Sequence, residues 1–368
     1  MHFSDVEKTW RRGWMRSIGI LSAGERAVAP PEWRDRQWSA LYMRSQGIGD
    51  VILATGVFRA IARAQPTVAL DVLTTAAAAP VLEGNPYVRR VLQLPTSTIG
   101  IARLVRTIER SRYDVIIDGK ITRGASFIRS PALTMLARAP YRVGVGGGNH
   151  DLVFNLCVAR FDRTSTHMVD GSAALATPFG VDLTTTDFRP EIILTSSEIE
   201  SAHREWAAAD VESETHAERW LLNISAGAPV RRWPNERWIE LIAHLRRRRP
   251  AATIAVIGSA AELSSVMQVA QASGAAPVRT ERLRAALAMV GTSNRVITTD
   301  TSITHAASAF CIPTLVLIQR GLSQWLPWHT PYAAAYWSGP TIESLSVPVA
   351  IEALDELLVS AVDRVAAT

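Results

Sequence analysis

The 368 residues exceed what one hydrophobic core usually organises, so two domains are the starting expectation. With 48% hydrophobic and 20% charged residues the composition is that of an ordinary globular protein, and the longest apolar runs, such as Pro313 to Ile318, are strand-length and exclude a membrane span. A formal net charge of +5 favours an anionic partner, yet zinc-ligand spacing, an aromatic RNA-binding signature and a basic helix leading into heptads are all missing, so no nucleic acid is expected.

Residues 1–39 read as an extension. Phe3, Val6, Trp10, Trp14 and Leu21 share one helical face, with Lys8, Arg11, Arg12 and Arg16 on the other. Such a basic amphipathic helix could lie on an anionic membrane surface, on the body of the protein or on a second subunit. Ala29, Pro30, Pro31 and the charged residues after them read as a linker. The apolar stretch Ser17 to Gly24 is short and flanked by charge, a poor signal peptide. The expected location is therefore the cytoplasm, with the inner face of the membrane as a peripheral station. Cys157 and Cys311, both in apolar surroundings, are expected to be small core residues in a reducing compartment.

Alternation of strand and helix begins at Ser39. Strands are expected at Ala40–Arg44, Val68–Thr74, Val88–Leu94 and Val115–Asp118, with helices at Asp50–Ala64, Ala76–Leu82 and Ile101–Arg110. The pattern weakens between Gly144 and Thr195, where a helix near Met168–Phe179 is expected. A second series starts at Trp220. Its strands are Leu221–Ile224, Thr253–Ile257, Arg295–Thr299 and Thr314–Ile318. Its helices are Asn235–Arg248, Glu262–Ala272, Leu283–Met289, Ser302–Ala309 and Val349–Ala366. Arg246 to Arg249 close a helix before Pro250, where cations complement the helix dipole. Two parallel, doubly wound α/β halves follow, divided within the charged stretch Asp210 to Arg219.

Three strand-to-helix turns carry the chemistry. Ser45-Gln46-Gly47-Ile48-Gly49-Asp50 brings backbone and unpaired helix amides close to a ligand; Asp50 there is either a functional carboxylate or a helix cap. Asn223-Ile224-Ser225-Ala226-Gly227 leads into Arg231-Arg232-Trp233-Pro234, whose guanidiniums could hold a diphosphate or be surface charge. Thr298-Thr299-Asp300-Thr301-Ser302-Ile303-Thr304-His305 sets hydroxyls and amides at a helix start, an anion cradle, with His305 open to a core or a site role. The eight histidines include no pair at metal-ligand spacing, and neither a metal nor a cofactor is expected.

In order and spacing these turns resemble the heptosyltransferase family, glycosyltransferase family 9; Leu82-Glu83-Gly84-Asn85-Pro86 and Tyr113 to Asp118 are similar to further family segments. The resemblance implies a GT-B fold, two Rossmann-like doubly wound domains facing a central cleft. It implies a 40–210 acceptor domain, a 211–345 nucleotide-sugar domain and a 346–368 terminal helix. The implied reaction is inverting, metal-independent transfer of a heptose from an ADP-linked donor to an anionic glycolipid or glycoside. Asp50 matches the general base. Arg231 stands where the family has a lysine on the leaving diphosphate. Asp300, Thr301, Ser302 and His305 match the donor turn, with Ser302 replacing the usual glycine. Glu262 falls near the nucleotide ribose by a looser alignment. Gly49, Lys120 and Arg123 are the acceptor-side candidates, with surface charge the other reading of Lys120 and Arg123. A sugar-nucleotide epimerase and an inactive nucleotide-sugar-binding scaffold are the alternatives on the same fold.

Overall fold

In a computed structural model that describes residues 27–121, 129–146, 153–162, 164–210 and 218–365, the strands form two wholly parallel, six-stranded sheets. The first contains β1 (Trp38–Arg44), β2 (Val68–Thr75), β3 (Arg90–Leu94), β4 (Val115–Asp118), β5 (Tyr141–Val145) and β6 (Leu156–Val158), in the order β3-β2-β1-β4-β5-β6. Helices α1 (Ile48–Ala64), α2 (Thr98–Ser111), α3 (Arg129–Leu136) and α4 (Met168–Ala173) connect or cover them. The second contains β7 (Arg219–Asn223), β8 (Thr253–Ile257), β9 (Ala276–Pro277), β10 (Arg295–Thr299), β11 (Thr314–Gln319) and β12 (Tyr332–Trp337), in the order β12-β11-β10-β7-β8-β9. Its helices are α5 (Ser196–Ala209), α6 (Asn235–Arg248), α7 (Leu263–Ser273), α8 (Leu283–Gly291), α9 (Ser302–Ala309) and α10 (Val347–Val365).

Each strand order reverses once, between β1 and β4 in the first sheet and between β7 and β10 in the second. Open α/β sheets place their ligands at such reversals, outside the carboxyl ends of the strands. Both sheets are thus Rossmann-like α/β units of the GT-B type, as expected. None of the described helices is long and apolar enough to cross a membrane.

The chain divides into compact units at Phe188/Arg189, ahead of the expected boundary after residue 210. The displaced piece is α5, which packs on α8 and β8 of the second unit. Trp206 of α5 donates from Nε1 to Thr292 Oγ1 at 2.9 Å. The terminal helix α10 likewise belongs to the second unit, burying Ala350, Leu354 and Leu357 in a core shared with Trp220, Trp233 and Trp238.

Other departures have local causes. The segment after residue 27 is docked on the first unit instead of linking freely. Trp33 stacks on Phe179 at 4.6 Å, meets Trp38 edge-on, and donates to Pro178 O at 2.8 Å. The helix expected at Ala76–Leu82 shrinks to a 3-10 turn at Ala79–Leu82, with Pro80 at its start and Gly84 at φ 74 after it. Pro178, which lacks an N–H, sits in the 3-10 stretch that replaces the second half of Met168–Phe179. Both cysteines are exposed and outside any disulfide, contrary to the core assignment. Cys157 points outward from edge strand β6, and Cys311 occupies a left-handed position (φ 58) after α9. The amphipathic segment 1–26 lies outside the described residues.

One ion pair fixes α5 in its unit. Glu198 Oε2 accepts from Thr195 N at 2.8 Å, and its two oxygens accept from the nearly buried Arg284 of α8, Oε1 at 2.6 Å. The Arg284 guanidinium holds the Glu198 carboxyl far below its ordinary 4.5, down to about 2. A lowered carboxyl pKa contributes stability above the unfolded value, and that stability fades as pH falls toward the folded one. Glu198→Ala is therefore expected to lower unfolding free energy by about 1–3 kcal/mol at neutral pH. Urea titrations should show the gap from the unsubstituted protein closing as pH is lowered from about 4.5 to about 2.

Candidate active site

In the first unit the reversal between β1 and β4 is occupied by a buried guanidinium. Arg44 ends β1 with its side chain 1% exposed, and its Nη2 pairs with Asp50 Oδ1 at 2.6 Å. Its Nη1 donates to the carbonyl of Gly119, just beyond β4, and its Nε to Asp50 O at 3.3 Å. Asp50 sits at the third position of α1, where Oδ2 accepts from Gly47 N at 3.0 Å. The carboxylate is thus a helix cap and a solvent-reaching group at once, 20% exposed above a buried cation. Gly119 must be glycine: a Cβ there would come within 2.3 Å of the Tyr42 ring and 2.8 Å of Met43 O. Tyr42 itself is fully buried against Phe58, and its hydroxyl has no hydrogen-bond partner among the described residues. Burial pushes that phenol's pKa up. Gly49 lies in the first turn of α1 beside Asp50. Lys120 follows Gly119, its backbone N donating to Asp118 Oδ1 at 3.0 Å. Arg123 lies outside the described residues.

The second reversal is bridged by a side-chain amide. Asn223, last in β7, donates from Nδ2 to Thr298 Oγ1 of β10 at 2.9 Å and to Thr301 Oγ1 at 3.2 Å. Thr301 caps α9, its Oγ1 accepting from Ile303 N. Thr299 Oγ1 donates to Ser225 O at 2.8 Å, tying the loop after β7 to the loop after β10. Into this frame projects Arg231, whose Nη1 donates to Asp300 O at 2.9 Å and to Asp300 Oδ2 at 3.0 Å. Burial pushes the Asp300 carboxyl pKa up, and the Arg231 charge offsets only part of that. The Arg-Arg-Trp-Pro segment has a structural reason. Trp233 is buried against Trp238 and donates to Leu345 O at 3.1 Å, and Pro234 opens α6, so the loop carrying Arg231 is pegged to the core.

Glu262 is 5% exposed and ties two loops together. Its Oε1 accepts from Ala226 N at 3.1 Å, and its Oε2 from Ser259 Oγ at 2.6 Å. Arg232 Nη2 lies 3.6 Å from Oε1. Ser302 opens α9, and His305, one turn on, is buried beside Trp325 at 5.9 Å. Arg231, Glu262, Asp300, Thr301, Ser302 and His305 therefore all belong to the strand-end loops and helix start of one unit, while Asp50, Gly49 and Lys120 belong to the other. Arg44 and Asn223 are the additions that sequence reading missed as site residues. Both are the last polar residue of an apolar strand before a glycine-containing turn, which is the signal that could have found them. Among the described residues no three His, Cys, Asp or Glu side chains gather as a cation site.

This pairing of two Rossmann-like units, each with a polar strand-end crevice, defines a GT-B type of architecture. The family model for glycosyltransferase family 9 (heptosyltransferase) matches residues 101–332. The chain belongs to that family and is a glycosyltransferase. It is 21% identical over 285 residues to lipopolysaccharide heptosyltransferase 2 of Salmonella typhimurium, covering 73% of this chain and 79% of that protein. Among solved structures, the family 9 glycosyl transferase of Veillonella parvula superposes with a TM-score of 0.74 at 18% identity, over 90% of this chain and 99% of that one. The E. coli heptosyltransferase WaaC with ADP-2-deoxy-2-fluoro heptose gives 0.68 at 16% identity, over 86% and 99%. At these identities the structural matches speak for the fold.

Removing one partner of a buried ion pair leaves the other uncompensated, a loss of about 3 kcal/mol or more. Arg44→Met is expected to lose that much in urea unfolding, since it strips Asp50 and the Gly119 carbonyl of their donor. Arg44→Lys, which keeps the charge but not the fork, should recover part of it.

Proposed function

We propose that this glycosyltransferase moves a heptose from an ADP-linked donor to a bacterial glycolipid or related glycoside, with inversion and without a metal ion. The observation that carries the reading is Arg231. It is held at the start of α9 through Nη1 alone, so that Nε and Nη2 have no partner among the described residues. A planar fork with two unengaged donors beside helix amides suits a diphosphate. Its present anionic partner, Asp300, is a carboxylate that burial disfavours, so an incoming diphosphate competes on good terms for the guanidinium. The sugar and the base are supported by relatives: one is named a lipopolysaccharide heptosyltransferase, and another was solved with ADP-2-deoxy-2-fluoro heptose.

In this reading the second unit holds the donor, with Arg231, Asp300, Thr301, Ser302 and His305 around the diphosphate and sugar. Glu262 shapes the loop against the ribose. The first unit holds the acceptor near Gly49, Lys120 and Arg123. An acceptor hydroxyl oxygen forms a bond to the anomeric carbon as the bond from that carbon to the diphosphate oxygen breaks. Asp50 takes the hydroxyl proton, and each of its oxygens keeps a lone pair beyond those used by Arg44 and Gly47. The diphosphate leaves with the bonding electrons, its charge met by Arg231 and the α9 amides. The reaction is assigned to the cytoplasm, at the inner face of the membrane.

Calorimetric titration with ADP, GDP, UDP and dTDP, each with and without magnesium, tests the donor assignment. ADP is expected to bind alone among them and independently of magnesium, with Arg231→Ala weakening it about ten- to a hundred-fold. Asp50→Asn should lower kcat about a hundred- to ten-thousand-fold with ADP affinity unchanged. Preference for another base, a need for magnesium, or undiminished turnover in Asp50→Asn would each overturn the corresponding part.

A further inference from the structure

Helix α2 buries Leu104 and Ile108 against Leu41, Leu73 and Ile116 of the first sheet. At about 100° per residue, Ile99, Arg103, Arg106 and Arg110 fall within about 60° of one another on the opposite side. All four are exposed, and Ile99 is 67% exposed. None of the three arginines has a carboxylate within ion-pair distance among the described residues. The one acid of the helix, Glu109, projects about a quarter turn away. Arg110 in the last turn complements the helix dipole, but Arg103 and Arg106 sit too far from the carboxyl end for that. Arg90, half-exposed, donates to Ser111 Oγ at 3.2 Å at the end of α2 but is paired with buried Asp71, so the unpaired row is Arg103, Arg106 and Arg110. The result is a ridge about 17 Å long with an apolar residue at its head.

We infer that this ridge rests on the anionic lipid headgroups of the membrane that carries the acceptor. A row of unpaired guanidiniums complements a negative lipid surface, each adding an increment of attraction. Ile99 decides between anionic surfaces. An exposed apolar side chain heading a basic row gains nothing from a phosphate backbone in water, whereas it can enter the boundary between headgroups and acyl chains. The inference rests on the reading of the acceptor as a glycolipid and assigns the surface that brings the enzyme to it.

The full-length protein is floated with phosphatidylcholine vesicles, with and without phosphatidylglycerol, at low and at high salt. The unsubstituted chain is expected to float with the anionic vesicles at low salt, and not with neutral ones or at high salt. The R103E/R106E/R110E variant should partition about a hundred-fold more weakly. Ile99→Asp, a single change that leaves the arginines in place, should weaken it about tenfold. Thermal melting of each variant checks that it folds. Flotation unchanged in both variants would overturn the inference and leave the contact to the 1–26 segment, which they do not touch. So would failure of the unsubstituted chain to prefer anionic vesicles, or a salt-dependent shift of generic RNA in place of flotation. ADP titration of the same samples tests the transferase reading separately: ADP bound without flotation defeats this inference alone.

Discussion

A doubly wound sheet separates two neighbouring strands' connections to opposite faces, and polar groups in the crevice that opens there have to find partners. This constraint organises both units. In the first the crevice is closed by Arg44, reaching from the end of β1 to the Gly119 carbonyl beyond β4. In the second it is closed by Asn223, reaching from the end of β7 to Thr298 of β10. Each bridging group also holds a residue to which the proposed reaction assigns a role. Arg44 holds Asp50, and Asn223 reaches the Thr301 that caps α9 beside Asp300. The fold's own unpaired polar groups and the site are therefore one problem with one solution per unit.

The two solutions differ in what they leave available. Arg44 is buried and engaged through all three nitrogens, so it is committed to Asp50 and the Gly119 carbonyl. Arg231 is a third exposed and engaged through one nitrogen. A buried, saturated cation fixes geometry; a partly exposed, unsaturated one can change partner. The difference follows from position. Arg44 is a strand residue facing α1, whereas Arg231 ends a 3-10 turn in a loop pegged by Trp233.

Legibility in the sequence tracked how much of each element's stability is local. Central strands such as Thr253–Ile257 and Arg295–Thr299, flanked by turns, read correctly because burial on both faces demands unbroken apolar runs. Two edge strands were not read: Leu156–Val158 is three residues long and exposes its middle one, Cys157, and Tyr332–Trp337 sets exposed tyrosines at either end of three alanines, whereas edge strand Arg90–Leu94 was read. Residues 196–209, not read as a helix, fell on the first side of the expected boundary because their attachment to the second unit is a long-range pair, Glu198 with Arg284, invisible at the separation of the two residues in the chain. Trp33 read as linker for the same reason: its partners, Phe179 and Pro178, lie far along the chain. In the candidate site, the turns that carry Asp50, Arg231 and Asp300 were legible because glycines and helix starts announce them. Arg44 was missed: its place at the end of an apolar strand before a glycine-containing turn marks the position, but not that the arginine turns inward.

The arginine at position 231 bears on the proposed donor site. The family resemblance implies a lysine there, a single compact charge. A guanidinium is wider, and its Nη2 passes so close to Gly227 that a Cβ at that position would lie 3.0 Å away. The glycine after Ala226 thus clears space that a lysine's slimmer end would need less. Meanwhile Ala226 N is itself fixed by Glu262, so the loop cannot simply back away. Arg231, Gly227 and Glu262 form one arrangement in which the wider cation is accommodated by the absent side chain, and the backbone just before the glycine is held by the buried carboxylate. On this argument the exchange of lysine for arginine keeps the charge that the proposed reaction sets against a diphosphate and adds directionality, and its consequences fall first on the loop that carries it.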